Sequence, residues 1–186
     1  RRQRQMCIRD RVTSLASGST SVTIYSKDGN SKKTVRVKVA EGTIRTTTKG
    51  NVKGTKSSDA ASLIWYGIPY GASTGGTNRW KAPQPVSAWS GTWNARIPKS
   101  GAACYGDGTN YQGTEDCLYV NIYRPNTTEK NLPVMVYLHG GGNASGTANT
   151  DFSKFAVAAK AVVVSVEYRL GAFGYLSHPA LQTGTA

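Results

Sequence analysis

Histidine and methionine each occur only twice in these 186 residues, and cysteine three times. His139 and His178 lie far apart, and Cys7, Cys104 and Cys117 share no ligand spacing with them. The usual metal motifs are therefore excluded, and no metal or other cofactor is expected. Long apolar runs are missing too; without about 18 consecutive apolar residues, nothing in the sequence reads as a membrane span. Acids are scarce: 10 Asp and Glu stand against 23 Lys and Arg, a formal net charge of +13. Such an excess suggests an anionic partner until its position is considered. Residues 1–11 hold five Arg and one Asp, residues 12–56 nine basic residues and two acids, and residues 57–186 nine and seven. The excess belongs to the front end, where Lys33, Arg36 and Lys38 alternate with Val35, Val37 and Val39. In a strand that alternation puts the charges on one face, a solvated sheet face with no interleaved aromatics, so no nucleic-acid partner is expected.

What is abundant is glycine, 21 residues of it, gathered in turns and in one dense cluster. Residues 1–11 carry no apolar pattern, and Met6 to Arg11 resembles one frame of a transposase adapter. We read this segment as a cloning or assembly artefact and leave it out of the fold. Residues 12–34 form a polar lead and the first hairpin strand, because Asp28-Gly29 between Val22–Tyr25 and Val35–Val39 is a hairpin signal. Short strands around Gly42–Arg45, Val52–Gly54 and Ser62–Tyr66 extend an antiparallel front sheet. A proline-rich stretch from Gly67 to Ala103 follows, whose Trp80, Trp89 and Trp93 read as cover for a sheet edge. Strands Leu118–Tyr123 and Val134–Leu138, a helix over Asp151–Lys160 capped by Thr150 or Asp151, and strand Ala161–Tyr168 complete a βαβ unit.

The dense cluster lies inside that unit. Leu132 to Leu138 is a buried-strand pattern that runs into His139-Gly140-Gly141-Gly142. Three glycines strip the side chains from a turn, so backbone N–H groups can point together at a developing negative charge. Phosphate sites and plain tight turns use the same device. A dinucleotide fingerprint is excluded, because Ser145 stands where its last glycine is needed.

The neighbouring blocks narrow the choice. Glu115-Asp116-Cys117-Leu118-Tyr119-Val120-Asn121, Arg79-Trp80-Lys81-Ala82-Pro83 and Glu167-Tyr168-Arg169-Leu170-Gly171, taken with the His-Gly-Gly-Gly turn, resemble the type-B carboxylesterases over roughly Val35 to Pro179. The resemblance implies an α/β fold: the N-terminal part of an α/β-hydrolase, with antiparallel front strands leading into a parallel central sheet. It makes residues 35–186 an incomplete domain that stops before the nucleophile elbow. It further implies a serine esterase that forms an acyl-enzyme on small ester substrates, with Gly141 and Gly142 as the oxyanion-hole donors. The nucleophile, acid and base are absent from this chain, which alone is expected to be inactive. Cys104 and Cys117 are implied to form the family's small disulfide, hence a secreted or extracytoplasmic protein, with two free thiols as the alternative. The alternative function is an esterase-like binding protein of the neuroligin kind.

Gly71-Ala72-Ser73-Thr74-Gly75 matches Gly-x-Ser-x-Gly as text, but it follows a proline turn and opens no helix, so Ser73 is not read as a nucleophile. Arg79 is expected to pair with Glu115, and Asp116 or a neighbour with Arg169, because buried charges need partners. Two positions depart from the family: Asn143 replaces an aromatic after the glycines, and Glu167 replaces an asparagine. The first widens the expected acyl pocket, and nothing in the sequence accounts for the second.

Overall fold

The computed structural model describes residues 13–15, 19–25, 32–38, 43–99, 104–106 and 111–181; for the first three strands and for 104–106, 111–112 and 180 the backbone alone is described. The segment read as an artefact and the Asp28-Gly29 turn lie outside the described residues. The strands flanking that turn, β2 (Ser19–Tyr25) and β3 (Lys32–Lys38), pair antiparallel with Val22 opposite Val35. With β1 (Thr13–Leu15), β4 (Ile44–Thr47), β5 (Gly50–Lys53) and β8 (Thr92–Asn94) they form one sheet in the order β1-β2-β3-β4-β5-β8. β8 joins it in parallel to β5.

A second sheet carries the apolar blocks, in the order β12-β13-β11-β7-β6, where β6 is Thr55–Lys56, β7 Ser62–Pro69, β11 Tyr119–Pro125, β12 Val134–Leu138 and β13 Val162–Val166; β9 (Cys104–Gly106) and β10 (Tyr111–Gly113) form a separate antiparallel pair. β7 thus belongs to this central sheet, although its first residues read as a front strand. Seven of its eight residues are buried, because the strand is covered on both faces and its apolar run has no solvent side. The sheet is mixed. β11 runs antiparallel to both β7 and β13, and parallel pairing joins β12 to β13.

The two faces of this sheet follow the period of two along its strands. Leu63, Trp65, Val120, Val164 and Val166 pack with Val52, Trp89 and Trp93 against the front sheet, while Ile64, Tyr123 and Val163 pack with Ala156 and Phe152 against helix α1 (Ser153–Ala158). Tryptophans stitch the front layer by donating their indole N–H groups to backbone carbonyls: Trp65 to Thr43 at 2.8 Å, Trp89 to Asn51 at 2.8 Å and Trp93 to Gly67 at 3.0 Å. A side chain at Gly54 would meet the Ile64 carbonyl at 2.2 Å, so the two layers approach too closely for any other residue there.

α1 is shorter than the apolar pattern indicates. The Asp151 carboxylate accepts from the Ser153 N–H at 2.8 Å, which satisfies an orphan donor of the first turn. Lys160, read as helical, sits at φ +48 just past the helix end, where the chain turns into β13.

The register of β11 against β7 shifts between Val120 and Ile122. The extra residue is accommodated at Gly67, whose φ of +59 suits glycine and whose N–H donates to the Asn121 side chain at 2.8 Å. Asn121 also donates to the Ala148 carbonyl at 3.1 Å, so the bulge ties the sheet to the loop that follows the glycines.

Candidate functional site

The β12 strand ends at Leu138, and its last residues hand the chain to an exposed turn at the carboxyl edge of the β12–β13 pair, where ligands collect in α/β sheets. Gly141 (φ +131), Gly142 (φ +63) and Asn143 (φ +63) all take left-handed backbone, which bends the turn outward. Asparagine tolerates that conformation better than an aromatic would, which gives a backbone reason for the departure at position 143. The Gly141 carbonyl closes the turn by accepting from Ala144 N at 3.0 Å and Ser145 N at 3.1 Å. Among the described residues, no backbone hydrogen bond uses the N–H of Gly141 or Gly142. Two adjacent amides are therefore presented to solvent on a fixed loop.

The segment after β13 fixes it. The Gly171 N–H donates to the Asn143 carbonyl at 2.6 Å. The Tyr168 hydroxyl donates to the His139 carbonyl, and its ring stacks on the imidazole with centroids 4.4 Å apart. Glu167 Oε1 accepts from Thr147 Oγ1 at 2.6 Å and from Ala148 N at 2.7 Å. Glu167, Tyr168 and Gly171 thus hold the turn from one side. Sequence reasoning placed them in a family block without giving them this task. The available signal was an acid and an aromatic directly after a buried strand that pairs with the glycine strand.

Burial dominates the titration behaviour around the turn. It pushes the Tyr70 phenol well up; nearby Arg169 opposes the shift and Glu167 adds to it. Tyr168 is raised by burial and then by Tyr175, Glu167 and Tyr137. These hydroxyls stay protonated donors, in keeping with the hydrogen bond from Tyr70 to the Glu167 carbonyl at 2.7 Å.

Arg79 meets Glu115 through two parallel bonds, Nε to Oε1 and Nη2 to Oε2, each 2.6 Å. The hydrogen bond from Arg79 holds the Glu115 carboxyl below its ordinary range. The pairing expected for Arg169 is not found among the described residues. Asp116 instead accepts from the Tyr119 hydroxyl at 2.6 Å, and Arg169 donates to the Lys81 carbonyl at 2.8 Å. A carbonyl satisfies a half-buried guanidinium without a second desolvated charge, so no acid is needed there. Because the Glu115 value is depressed on folding, its contribution to stability is complete above the unfolded glutamate value and fades as pH falls through the folded one. Wild type and Arg79→Met should accordingly differ in melting temperature at neutral pH and converge in strong acid. A constant difference across the scan would show that the bridge is not its source.

Ser73 lies in a loop stitched to the Glu115 carbonyl through Thr74 N and Oγ1, at 3.1 and 2.5 Å. The loop does follow a strand, since β7 runs through Pro69, but what comes next is a single 3-10 turn at Gly76–Asn78 and no helix. Trp80, read as edge cover, donates to the Ala172 carbonyl at 3.1 Å and so ties this region to the short helix α2 (Gly171–Tyr175) after β13. Cys117 is fully buried, and the side chain of Cys104 lies outside the described residues. His178 lies on the surface beyond the glycine turn, between Tyr175 and the final 3-10 turn at Pro179–Leu181. Among the described residues no cluster of His, Cys, Asp and Glu is arranged to hold a metal, and no helix is long and apolar enough to cross a membrane.

Known proteins are similar to this chain in sequence and fold. The sequence pattern of the Carboxylesterase family matches residues 40–183. The chain is 40% identical over 142 residues to the para-nitrobenzyl esterase of Bacillus subtilis (strain 168), covering 72% of this chain and 29% of that protein. It is 37% identical over 147 residues to the fumonisin B1 esterase of Sphingopyxis macrogoltabida, covering 74% and 26%. A solved PNB esterase superposes with a TM-score of 0.68 at 38% identity, over 76% of this chain and 30% of that one. The chain therefore spans less than a third of the length of these relatives.

Proposed function

The chain belongs to the carboxylesterase family and carries the N-terminal part of its α/β-hydrolase fold, and from that premise we propose that it supplies the oxyanion hole of a carboxylic ester hydrolase. The observation that carries the proposal is the pair of uncommitted amides at Gly141 and Gly142, displayed at the carboxyl edge of a parallel strand pair. In the proposed reaction a serine hydroxyl attacks the ester carbonyl, and the two N–H groups stabilise the resulting tetrahedral oxyanion. The alcohol then leaves, and water releases the acid from the acyl-enzyme. Serine, acid and histidine base are assigned to no residue of this chain. Small carboxylic esters are the proposed substrates.

The pairing of Cys104 with Cys117 belongs to the same proposal, as does maturation in an oxidising compartment. It is supported by the complete burial of Cys117 against Leu118 and Tyr70.

The full protein carrying this chain is expected to hydrolyse para-nitrophenyl acetate or butyrate and to be stopped by one equivalent of a serine-directed phosphonate. Folded protein that neither turns over these esters nor takes up the phosphonate would overturn the reading.

A further inference from the structure

Beneath the glycine turn lie two buried groups that the proposed reaction does not use. The side chains of His139 and Glu167 are only 4% and 3% exposed, and His139 Nε2 stands 3.6 Å from Glu167 Oε2. Among the described residues, neither atom has a hydrogen-bond partner. The other ends of both groups are committed: Glu167 Oε1 takes two donors, and His139 Nδ1 lies 2.9 Å from the Gly140 carbonyl. A carbonyl only accepts, so Nδ1 must carry a proton. With a neutral imidazole and an ionised carboxylate, the 3.6 Å gap would then hold two facing lone pairs. A single additional proton, on Nε2 or on Oε2, turns that repulsion into a hydrogen bond after a closure of roughly 0.7 Å.

We infer that His139 and Glu167 share one proton across this gap, and that through it Glu167 is a positioning residue for the Gly141 and Gly142 amides. The bond joins the residue before the glycines to Thr147 and Ala148 after them, so both ends of the turn are anchored on the end of β13 while its middle stays bare. The inference rests on the oxyanion reading for its catalytic meaning, though not for its chemistry. Among the described residues, the neighbouring polar groups are committed elsewhere. Tyr168 stacks on the His139 ring and spends its hydroxyl on the His139 carbonyl, Tyr70 spends its own on the Glu167 carbonyl, and Arg169 is turned to Lys81.

Glutamine at 167 offers the same pattern without the extra proton: its carbonyl accepts from Thr147 and Ala148, and its amide donates to a neutral Nε2. Measured on the full protein, Glu167→Gln should keep kcat within about threefold of wild type. Glu167→Ala, which orphans three groups, should lower kcat roughly a hundredfold with KM nearly unchanged. With histidine labelled by nitrogen-15 and assigned through His139→Gln, the wild-type Nε2 resonance should report a protonated or proton-sharing nitrogen. In Glu167→Gln it should report one that accepts a hydrogen bond. A wild-type Nε2 bearing an ordinary lone pair, or a glutamine variant as damaged as the alanine one, overturns the inference. Should the protein hydrolyse no ester, the oxyanion reading alone falls, and amide exchange over residues 140–146 decides the positioning. Faster exchange in Glu167→Ala than in wild type and Glu167→Gln supports it, and equal rates overturn it.

Discussion

Gly141→Ala is expected to remove ester hydrolysis by about two to three orders of magnitude while the rest of the fold survives, because one oxyanion donor is commonly worth that much. A methyl group at position 141 would lie 1.9 Å from the Ser145 carbonyl oxygen and 2.7 Å from its carbon, and the φ of +131 is one that L side chains rarely adopt. Both obstacles are backbone, so no rotamer change relieves them. The turn has to open, and the bonds from Ala144 and Ser145 to the Gly141 carbonyl go with it. The strain is of order 1–3 kcal/mol, which a domain of this size tolerates. Gly142→Ala is the matched control: its φ of +63 lies in the left-handed well, and the space around an added methyl is open. That variant should cost about 1–2 kcal/mol of local strain and leave far more activity. Equal loss in both variants, or full activity in Gly141→Ala, would remove the amide at 141 from the mechanism.

The contrast between these two glycines shows where reading the sequence reaches its limit. Three consecutive glycines after a buried-strand pattern announce a bare backbone turn, and Val162–Val166 announces the strand beside it. Both elements and their parallel pairing follow from local pattern. Which glycine is sterically required depends on Ser145 folding back over the turn, and that is a tertiary fact. The bidentate contact of Arg79 with Glu115 was legible because two charges stood in blocks of one family pattern. The partner of Arg169 was not, since a carbonyl acceptor such as that of Lys81 leaves no mark in residue type. Glu167 was visible as a departure without a reason, and the imidazole it faces, His139, lies 28 positions away across the β12–β13 pair. The bulge at Gly67 was hidden for the same cause: glycine in a strand admits several explanations until the Asn121 side chain is seen to take its N–H.

Tyr123→Ala should produce the largest loss of stability, about 3–5 kcal/mol by analogy with other large-to-small core changes. The ring is completely buried at the centre of the face that α1 covers. It meets Tyr66 edge-on at 6.0 Å and Phe152 at 5.9 Å, geometry that adds to simple area burial. Its hydroxyl donates to the Thr150 carbonyl at 3.0 Å, just where the chain leaves the glycine loop and enters α1. Burial raises this phenol above its ordinary value, so it remains a donor throughout the working range. Truncation therefore does two things: it empties a cavity between sheet and helix, and it releases the crossover that returns the chain from the glycine turn to β13. Tyr123→Phe separates them, since it keeps the ring and gives up only the hydrogen bond, at about 1 kcal/mol. Denaturant unfolding of the full protein should rank wild type, Tyr123→Phe and Tyr123→Ala in falling stability, with most of the loss in the second step. If the phenylalanine variant falls as far as the alanine one, the Thr150 bond and not the packing secures the crossover. If neither falls by more than a few tenths of a kcal/mol, α1 is held by contacts other than those of Tyr123.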